Sequence, residues 1–420
     1  MNRRTLDGWL DYVSSQHPAT IALGLDRVSG VWRRMALPAL PTVITVGGTN
    51  GKGSTCAMLE RILLEAGYRA GLYTSPHILR YNERVRVNGK DAPDELLVEG
   101  FERVEAARGD IPLTYFEFGT LGALAAFAQA GLEAVVLEVG LGGRLDAVNI
   151  IDADVSIVVS VDLDHQAFLG NDVESIGFEK AGIYRKGRPA IFGDLHPPRR
   201  LVDHARAIGA DFMCLGHEFR FEAHERQWDF IGRKGAKRAL PMPALRGKWQ
   251  LKNASCALAA LDELAGRLPL SLGEVKRGLA LVTLPGRLQS IPGRPAIVLD
   301  VAHNPHAARS LADGLGDMGF FEATFAVVGM LGDKDMAGVV DAIKARVDRW
   351  YVASPEEAER AAPAETLAAI VRERSPGAPL RTFATITAAL HEARRDAGPN
   401  DRIIVFGSFY TVAEALRSLR

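Results

Sequence analysis

The stretch VGGTNGKGST at residues 46–55 decides how the chain is read. Ahead of it lies TVITV, a β-branched run with the character of a buried strand. After it, STCAMLERILLEAGY sets Leu59, Ile62, Leu63 and Ala66 on one helical face. Strand, glycine loop and helix in that order make a phosphate cradle. Successive backbone N–H groups and the helix N-terminus face an anion, Lys52 adds a point charge, and Ser54 or Thr55 can reach a magnesium ion. The bland alternative is a glycine turn that only joins strand to helix, and such a turn has no need of a lysine at the helix mouth. Gly53 stands between Lys52 and Ser54 and breaks the GK[ST] spelling of common GTPases. That turns the reading away from a GTPase or nucleoside kinase.

A chain of 420 residues that is 47% hydrophobic can bury a large core and is long for one domain, so two are expected. A net charge of −1, local basic clusters aside, argues against nonspecific binding to nucleic acid or an anionic membrane, so neither is expected as a partner. Cys56, Cys214 and Cys256 lack CxxC spacing, and Cys56 and Cys256 sit in apolar helical patterns, which points to buried thiols in a reducing compartment without disulfide or zinc. The opening MNRRTLDGWLDYVSSQH is charged and lacks the apolar core of a secretory signal, so a cytoplasmic location is expected. The most membrane-like region, residues 118–139, is broken by Gln129, Gly131, Glu133 and Glu138 and resolves into a helix followed by the strand AVVLEV.

Further strands read as DVSIVVSV, RPAIFG, PAIVLDV, TFAVVGM, RWYVAS and RIIVFGSF. Most alternate with helical stretches, the signature of α/β folds with parallel sheets. Residues 211–240 are more polar and have paired-strand character, suggesting a small antiparallel insertion or edge. The Pro- and Gly-rich LPGRLQSIPGRP reads as a linker, with the boundary near Ser290.

Chemistry collects at the carboxyl ends of the strands, where open α/β sheets bind ligands. AVVLEV ends at Glu138 and runs into GLGGRLDAVN, a turn whose glycines let backbone approach a ligand. There Glu138 is either a magnesium ligand or a solvated strand-end acid. One strand later SVDLDHQAFLG puts His165 at the same edge, as a ligand or a structural histidine. Lys180, in SIGFEKAGIYRKGRP, reads as a surface lysine early in a helix. In LYTSPHILRYNERVRVNG the chain leaves regular structure at Ser75-Pro76, and Arg80, Arg84 and Arg86 form either a basic rim for an anionic substrate or a solvated loop. VLDVAHNPHAA sets Asp300 and His303 at a strand end, followed by Asn304 as N-cap and Pro305 as first helical residue.

Taken together, LGLDRV, GGTNGKGST, YTSPH, NERVRVNG, LTYFEFGTL, LEVGLGGRLDA, LDHQAFLG, FEKAGI, LPGRLQ, DVAHNPHA, GMLGDKD and GSFYTV, in this order, resemble the folylpolyglutamate synthase and dihydrofolate synthase family, relatives of the Mur ligases. The inserted Gly53 is that family's spelling. The resemblance covers nearly the whole chain and implies an α/β fold: a P-loop, Mur ligase-type ATPase domain with a parallel-rich sheet over residues 1–290, and a smaller Rossmann-like carboxy-terminal domain over 291–420. It implies ATP held by Thr49, Asn50, Gly51, Lys52, Gly53 and Ser54 with Asn253, Arg287 and Asp300, and magnesium, as two ions, at Ser75, Glu138 and His165. Lys180 matches a lysine carried as a carbamate, an anionic oxygen ligand in place of a cation. Leu23, Gly24, Thr114, Tyr115, Phe116, Glu117, Leu145, Asp146 and Ala147 match the pterin segments, and His303 and Ser408 match substrate positions. Two positions depart from the pattern: Ala22, where some bifunctional members have an acid, and Tyr410, where close relatives often have histidine.

The reaction implied joins L-glutamate to dihydropteroate, giving dihydrofolate, and to reduced folates. A carboxylate is a poor electrophile, so the γ-phosphate of ATP first converts it to an acyl phosphate, which the glutamate amine attacks. Lys52 neutralises charge on the moving group, and His303 is the nearest base by motif. These small molecules are the expected partners of a monomer. The alternatives are a folylpolyglutamate synthase alone or another Mur-type amide ligase, the latter disfavoured by LTYFEFGTL and the SPH loop. A P-loop kinase, nucleotide switch or non-catalytic scaffold is opposed by DVAHNP and by the retained Lys52, Glu138 and His165.

Overall fold

The structure is a computed structural model that describes residues 4–17 and 21–420; residues 1–3 of the charged amino-terminal stretch lie outside it. The chain divides into two compact units: the larger runs up to Ala244 and includes Leu251–Val282, and the smaller comprises Leu245–Gln250 and Thr283–Arg420.

In the larger unit the strands are β1 (Thr42–Gly47), β2 (Ala70–Tyr73), β3 (Val85–Val87), β4 (Lys90–Asp91), β5 (Ala134–Glu138), β6 (Val155–Val158), β7 (Pro189–Phe192) and β8 (Asp211–Cys214). They form one sheet in the order β4-β3-β2-β5-β1-β6-β7-β8. The pairs β2–β5, β5–β1, β1–β6, β6–β7 and β7–β8 are parallel, and the short β3 and β4 close one edge antiparallel. The helices are α1 (Leu6–Ser14), α2 (Asp26–Met35), α3 (Lys52–Glu65), α4 (Asp94–Arg108), α5 (Tyr115–Gln129), α6 (Gln166–Leu169), α7 (Val173–Ala181), α8 (Arg199–Ala207), α9 (Gln250–Glu263) and α10 (Leu272–Leu281). The helix after the glycine loop, α3, is buried more widely than one face. Ser54 through Glu60, Ile62 and Leu63 of α3 are all shielded, and Ala66 is its C-cap.

The more polar stretch divides differently from its sequence reading. Residues 211–214 are β8, the parallel edge of the main sheet. Only β9 (Phe219–Ala223), β10 (Gln227–Gly232) and β11 (Gly235–Pro241) form a separate antiparallel sheet.

The smaller unit holds β12 (Gln289–Ile291), β13 (Ala296–Leu299), β14 (Thr324–Val328), β15 (Arg349–Ala353), β16 (Leu380–Phe383) and β17 (Arg402–Phe406), ordered β12-β13-β17-β14-β15-β16. All pairs are parallel except β12–β13. Its helices are α11 (Pro305–Asp317), α12 (Met336–Ile343), α13 (Ala364–Arg374), α14 (Ile386–Asp396) and α15 (Phe409–Ser418). Its core gathers Val298, Leu311, Val328, Trp350 and Phe406, all nearly inaccessible to solvent. The central strands β13, β17 and β14 are buried along nearly their whole length, as a sheet covered by helices on both sides requires, while the edge strands β12 and β16 are partly exposed.

The expected boundary near Ser290 falls a few residues beyond the point where the two compact units part. Ser290 pairs with Val298 inside the β12–β13 ladder, and the units part between Val282 and Thr283. The prolines and glycines of LPGRLQSIPGRP mark the turns on either side of a three-residue strand, and turn chemistry reads the same in a hairpin as in a linker.

Candidate active site

The register of the main sheet places the chemistry. Val46, the penultimate residue of β1, pairs with Glu138, the last residue of β5, and Gly47 pairs with Val158 at the end of β6. The glycine loop therefore leaves the sheet between two strands whose own carboxyl ends carry Glu138 and Ser160.

Ser160 braces the loop. Its hydroxyl accepts from Asn50 N–H and donates to the Asn50 carbonyl, both at 3.0 Å, and its carbonyl accepts from Thr49 N–H at 2.8 Å. Thr49 Oγ1 donates to the Asp162 carbonyl at 3.1 Å and accepts from Asp162 N–H at 3.0 Å. Gly51, the N-cap of α3, has φ +85°, and a Cβ there would stand 2.5 Å from Asn253 Oδ1 and 2.8 Å from Val159 Cγ1. Glycine is required both by backbone conformation and by the close approach of Asn253, which is buried on α9. Lys52, Gly53 and Ser54 form the first turn of α3, and Lys52 Nζ donates to the Gly48 carbonyl at 2.9 Å and the Thr49 carbonyl at 3.3 Å.

Glu138 is buried, not solvated, and one carboxylate oxygen accepts from Ser75 N–H at 3.2 Å. Two of the magnesium candidates thus meet directly. His165 has a left-handed backbone (φ +51°) and opens α6, with its N–H donating to Asp164 Oδ1 at 2.8 Å.

Lys180 corrects its sequence reading. It lies in the last turn of α7 and is only 4% exposed. Burial, then the positive charge of Lys52, pull its ammonium down to about 7, against the opposing pull of Asp164 and Asp146. Those side chains are accordingly within electrostatic reach of one another. Asp164 is the acid that the motif reading passed over, although it directly precedes the histidine singled out in LDHQAFLG.

The acceptor candidates also fall in the larger unit. Thr114 and Glu117 make a reciprocal cap on α5: Thr114 N–H donates to Glu117 Oε2 at 2.8 Å and Glu117 N–H to Thr114 Oγ1 at 3.2 Å. Tyr115 and Phe116 follow in the first turn, Tyr115 edge-on to Tyr81 with centroids 6.1 Å apart. Phe116 lies against Gly140, where a Cβ would come within 2.5 Å of its ring. Asp146, between Leu145 and Ala147, accepts from Leu141 N–H at 2.8 Å and Val148 N–H at 3.1 Å, so it shapes the glycine turn behind Glu138. Burial raises its carboxyl to about 6, despite those N–H groups and Lys52. Leu23 and Gly24 lead into α2.

The three arginines do not form one rim. Arg80 turns toward Asp94, Arg86 toward Glu60 and the Gly89 carbonyl. Arg84 donates through Nε to His77 Nδ1 at 2.8 Å and lies over the Tyr81 and Tyr115 rings at 5.4 and 5.5 Å. Arg84 ends the short helical turn Tyr81–Arg84 while Arg86 lies within β3, a change of local backbone that a charge count does not reveal.

In the smaller unit Asp300, buried at the end of β13, accepts from Leu288 N–H and Ala302 N–H, each at 2.8 Å, and burial raises its carboxyl while Arg287 opposes that rise. His303 Nδ1 is 2.9 Å from the Val301 carbonyl, which can only accept. The neutral ring therefore carries its proton on Nδ1 and its lone pair on Nε2. Arg287 lies over the Phe409 ring at 5.2 Å. Ser408 is buried as the N-cap of α15 and accepts from Thr411 N–H at 3.0 Å, while Tyr410 beside it is 44% exposed. Asn304 caps α11 as its sequence indicates, accepting from Ala307 N–H at 2.8 Å ahead of Pro305.

Among the described residues no three His, Cys, Asp or Glu side chains form a ready metal cage, and no helix is long and apolar enough to cross a membrane. The cysteines are buried and unbridged. The Glu138 carboxylate and the Ser75 hydroxyl would offer oxygen donors of the kind magnesium takes, with phosphate oxygens and water left to complete its shell.

Comparison with known proteins shows what the chain is similar to. Residues 286–409 match the family described as Mur ligase, glutamate ligase domain. The dihydrofolate synthase/folylpolyglutamate synthase of Escherichia coli K12 is 46% identical over 412 residues, covering 98% of this chain and 94% of that protein. The Haemophilus influenzae protein of the same name is 38% identical over 427 residues, covering 97% and 95%. The solved structure of E. coli FolC in complex with DHPP and ADP superposes with a TM-score of 0.94 at 45% identity, covering 99% of this chain and 98% of that one. With its full length matched at this identity, the chain belongs to the dihydrofolate synthase/folylpolyglutamate synthase family.

Proposed function

We propose that the protein is an ATP-dependent ligase that joins L-glutamate to dihydropteroate, forming dihydrofolate, and extends reduced folates with further glutamate. The observation that carries this reading is the meeting, at one sheet edge, of the Lys52 loop, the Glu138–Ser75 pair and the buried Lys180. The loop N–H groups and Lys52 hold the triphosphate. The acceptor carboxylate takes the γ-phosphoryl group, and the glutamate amine displaces phosphate from the acyl phosphate. His303, with its lone pair on Nε2, receives the ammonium proton in this scheme.

Ser75, Glu138 and His165 are the residues to hold magnesium, as two ions, with Lys180 joining them as a carbamate. Carbamate formation needs a neutral amine, and a lysine drawn down to about 7 supplies one at neutral pH. When bound, magnesium neutralises phosphate charge. Asn253, Arg287 and Asp300 complete the nucleotide contacts. Leu23, Gly24, the residues 114–117 and 145–147, and Ser408 serve the other substrates. The enzyme works as a cytoplasmic monomer. Support comes from the solved relatives, of which one is described with Mn, AMPPNP and L-glutamate bound.

The test offers the purified protein dihydropteroate or a reduced folate, each with glutamate and ATP, and identifies products by mass. A glutamyl adduct of both acceptors is expected. A product from reduced folate alone reduces the activity to folate extension, and no amide from either overturns the reading.

A further inference from the structure

Two of the segments assigned above to the pterin acceptor, Leu23-Gly24 and the first turn of α5, lie far apart in sequence. One side chain joins them. Arg27, in the first turn of α2, donates through Nη2 to the Ala22 carbonyl at 2.8 Å and to Glu117 Oε1 at 2.9 Å. The other oxygen of Glu117 is held by Thr114 N–H at 2.8 Å. Arg27 thus holds the strap that carries Leu23 through the Ala22 carbonyl. Gly24, at φ +145°, adds no stiffness of its own. The Glu117 side chain is 5% exposed, so Arg27 also compensates a carboxylate withdrawn from water.

We infer that Arg27 is a positioning residue for the acceptor: it fixes the 22–24 strap against the capped N-terminus of α5, so that both segments present one preformed surface to the pterin. It touches the strap through main chain, so the fixing does not depend on the side chain at position 22. The inference rests on the acceptor assignments under the proposed function.

The test is steady-state kinetics of Arg27→Met and Arg27→Lys with dihydropteroate and, separately, ATP as the varied substrate. Arg27→Met is expected to raise the KM for dihydropteroate about tenfold or more, with kcat at saturating acceptor and the KM for ATP changed less than about twofold. Arg27→Lys, which keeps a cation able to reach Glu117, is expected to recover part of the acceptor affinity. An unchanged acceptor KM in Arg27→Met overturns the inference. So does an equal worsening of acceptor and ATP constants, in either variant, since that is what general loosening of α2 and α5 produces. If Arg27→Met does not fold, Arg27→Lys decides on the same two constants. Failure of the wild-type protein to use any pterin acceptor overturns the functional reading instead.

Discussion

Lys180 shows how far a single residue can depart from its letter. Among FEKAG its lysine reads as a surface charge, because sequence does not report that the last turn of a helix is roofed over. Its buried position has a consequence for stability. Its ordinary value of 10.5 falls to about 7 in the folded chain, so between those values the unfolded chain binds a proton that the native chain has released. Stability attributable to Lys180 therefore rises with pH across that window and is lost as pH falls toward 7. In urea unfolding of protein freed of metal and bicarbonate, wild type should gain on Lys180→Met as pH goes from 7 to 9, by up to about 1.4 kcal/mol per pH unit. Parallel pH profiles would mean that the ammonium is not desolvated. The carbamate has its own check: bicarbonate depletion should lower wild-type turnover, and activity indifferent to bicarbonate speaks against it.

At the scale of elements, legibility followed periodicity. The strands named from sequence, from TVITV to RIIVFGSF, exist because apolar β-branched runs between turns have few other uses, and Asn304-Pro305 caps a helix because each residue satisfies that end chemically. Missed features depend on partners remote in sequence: the brace from Ser160, the Arg27 bridge, and the split of residues 211–240 between two sheets. Helix contact is another case. A Cβ on Gly100 of α4 would sit 2.6 Å from the Gly122 carbonyl oxygen of α5, a backbone atom that cannot step aside. Gly100→Ala should thus destabilise by about 2 kcal/mol through forced separation of the helices. Gly30→Ala in α2, where the nearest atom is 3.9 Å away, should be stabilising by about 0.5–1 kcal/mol. Urea midpoints of the two variants should move in opposite directions, and a common shift would remove the steric explanation. Asn304→Ala should cost about 1 kcal/mol by the same measurement, since Ala307 N–H loses its acceptor.

For the whole molecule, the question is whether one catalytic apparatus serves two acceptors. Dihydropteroate presents a benzoate carboxylate, a polyglutamylated folate the carboxylate of its tail, yet phosphoryl transfer asks the same of Lys52 and Glu138 in either case. The glycine loop after β1 lies between the ends of β5 and β6, and a common ATP site there is the simplest reading for both ligations. Removing Lys52 or Glu138 should therefore depress both ligations by the same factor, of order 10² or more, whatever the acceptor. Lys52→Ala should also leave the unliganded fold intact, because the Nζ bonds are made to its own loop and not to the core. The pterin segments behave differently. Tyr115 sits where the α5 N-terminus meets Arg84 and Tyr81, so Tyr115→Leu alters the surface that meets an acceptor without touching the phosphates. A dihydropteroate, lacking any glutamate tail to contribute binding, depends on that surface more than a folate does. Parallel kinetics with both acceptors should consequently show Tyr115→Leu lowering kcat/KM for dihydropteroate more than for the reduced folate, with the ratio unchanged in Lys52→Ala and Glu138→Ala. A ratio that shifts in the Lys52 variant would mean that the two reactions do not share their phosphoryl-transfer site.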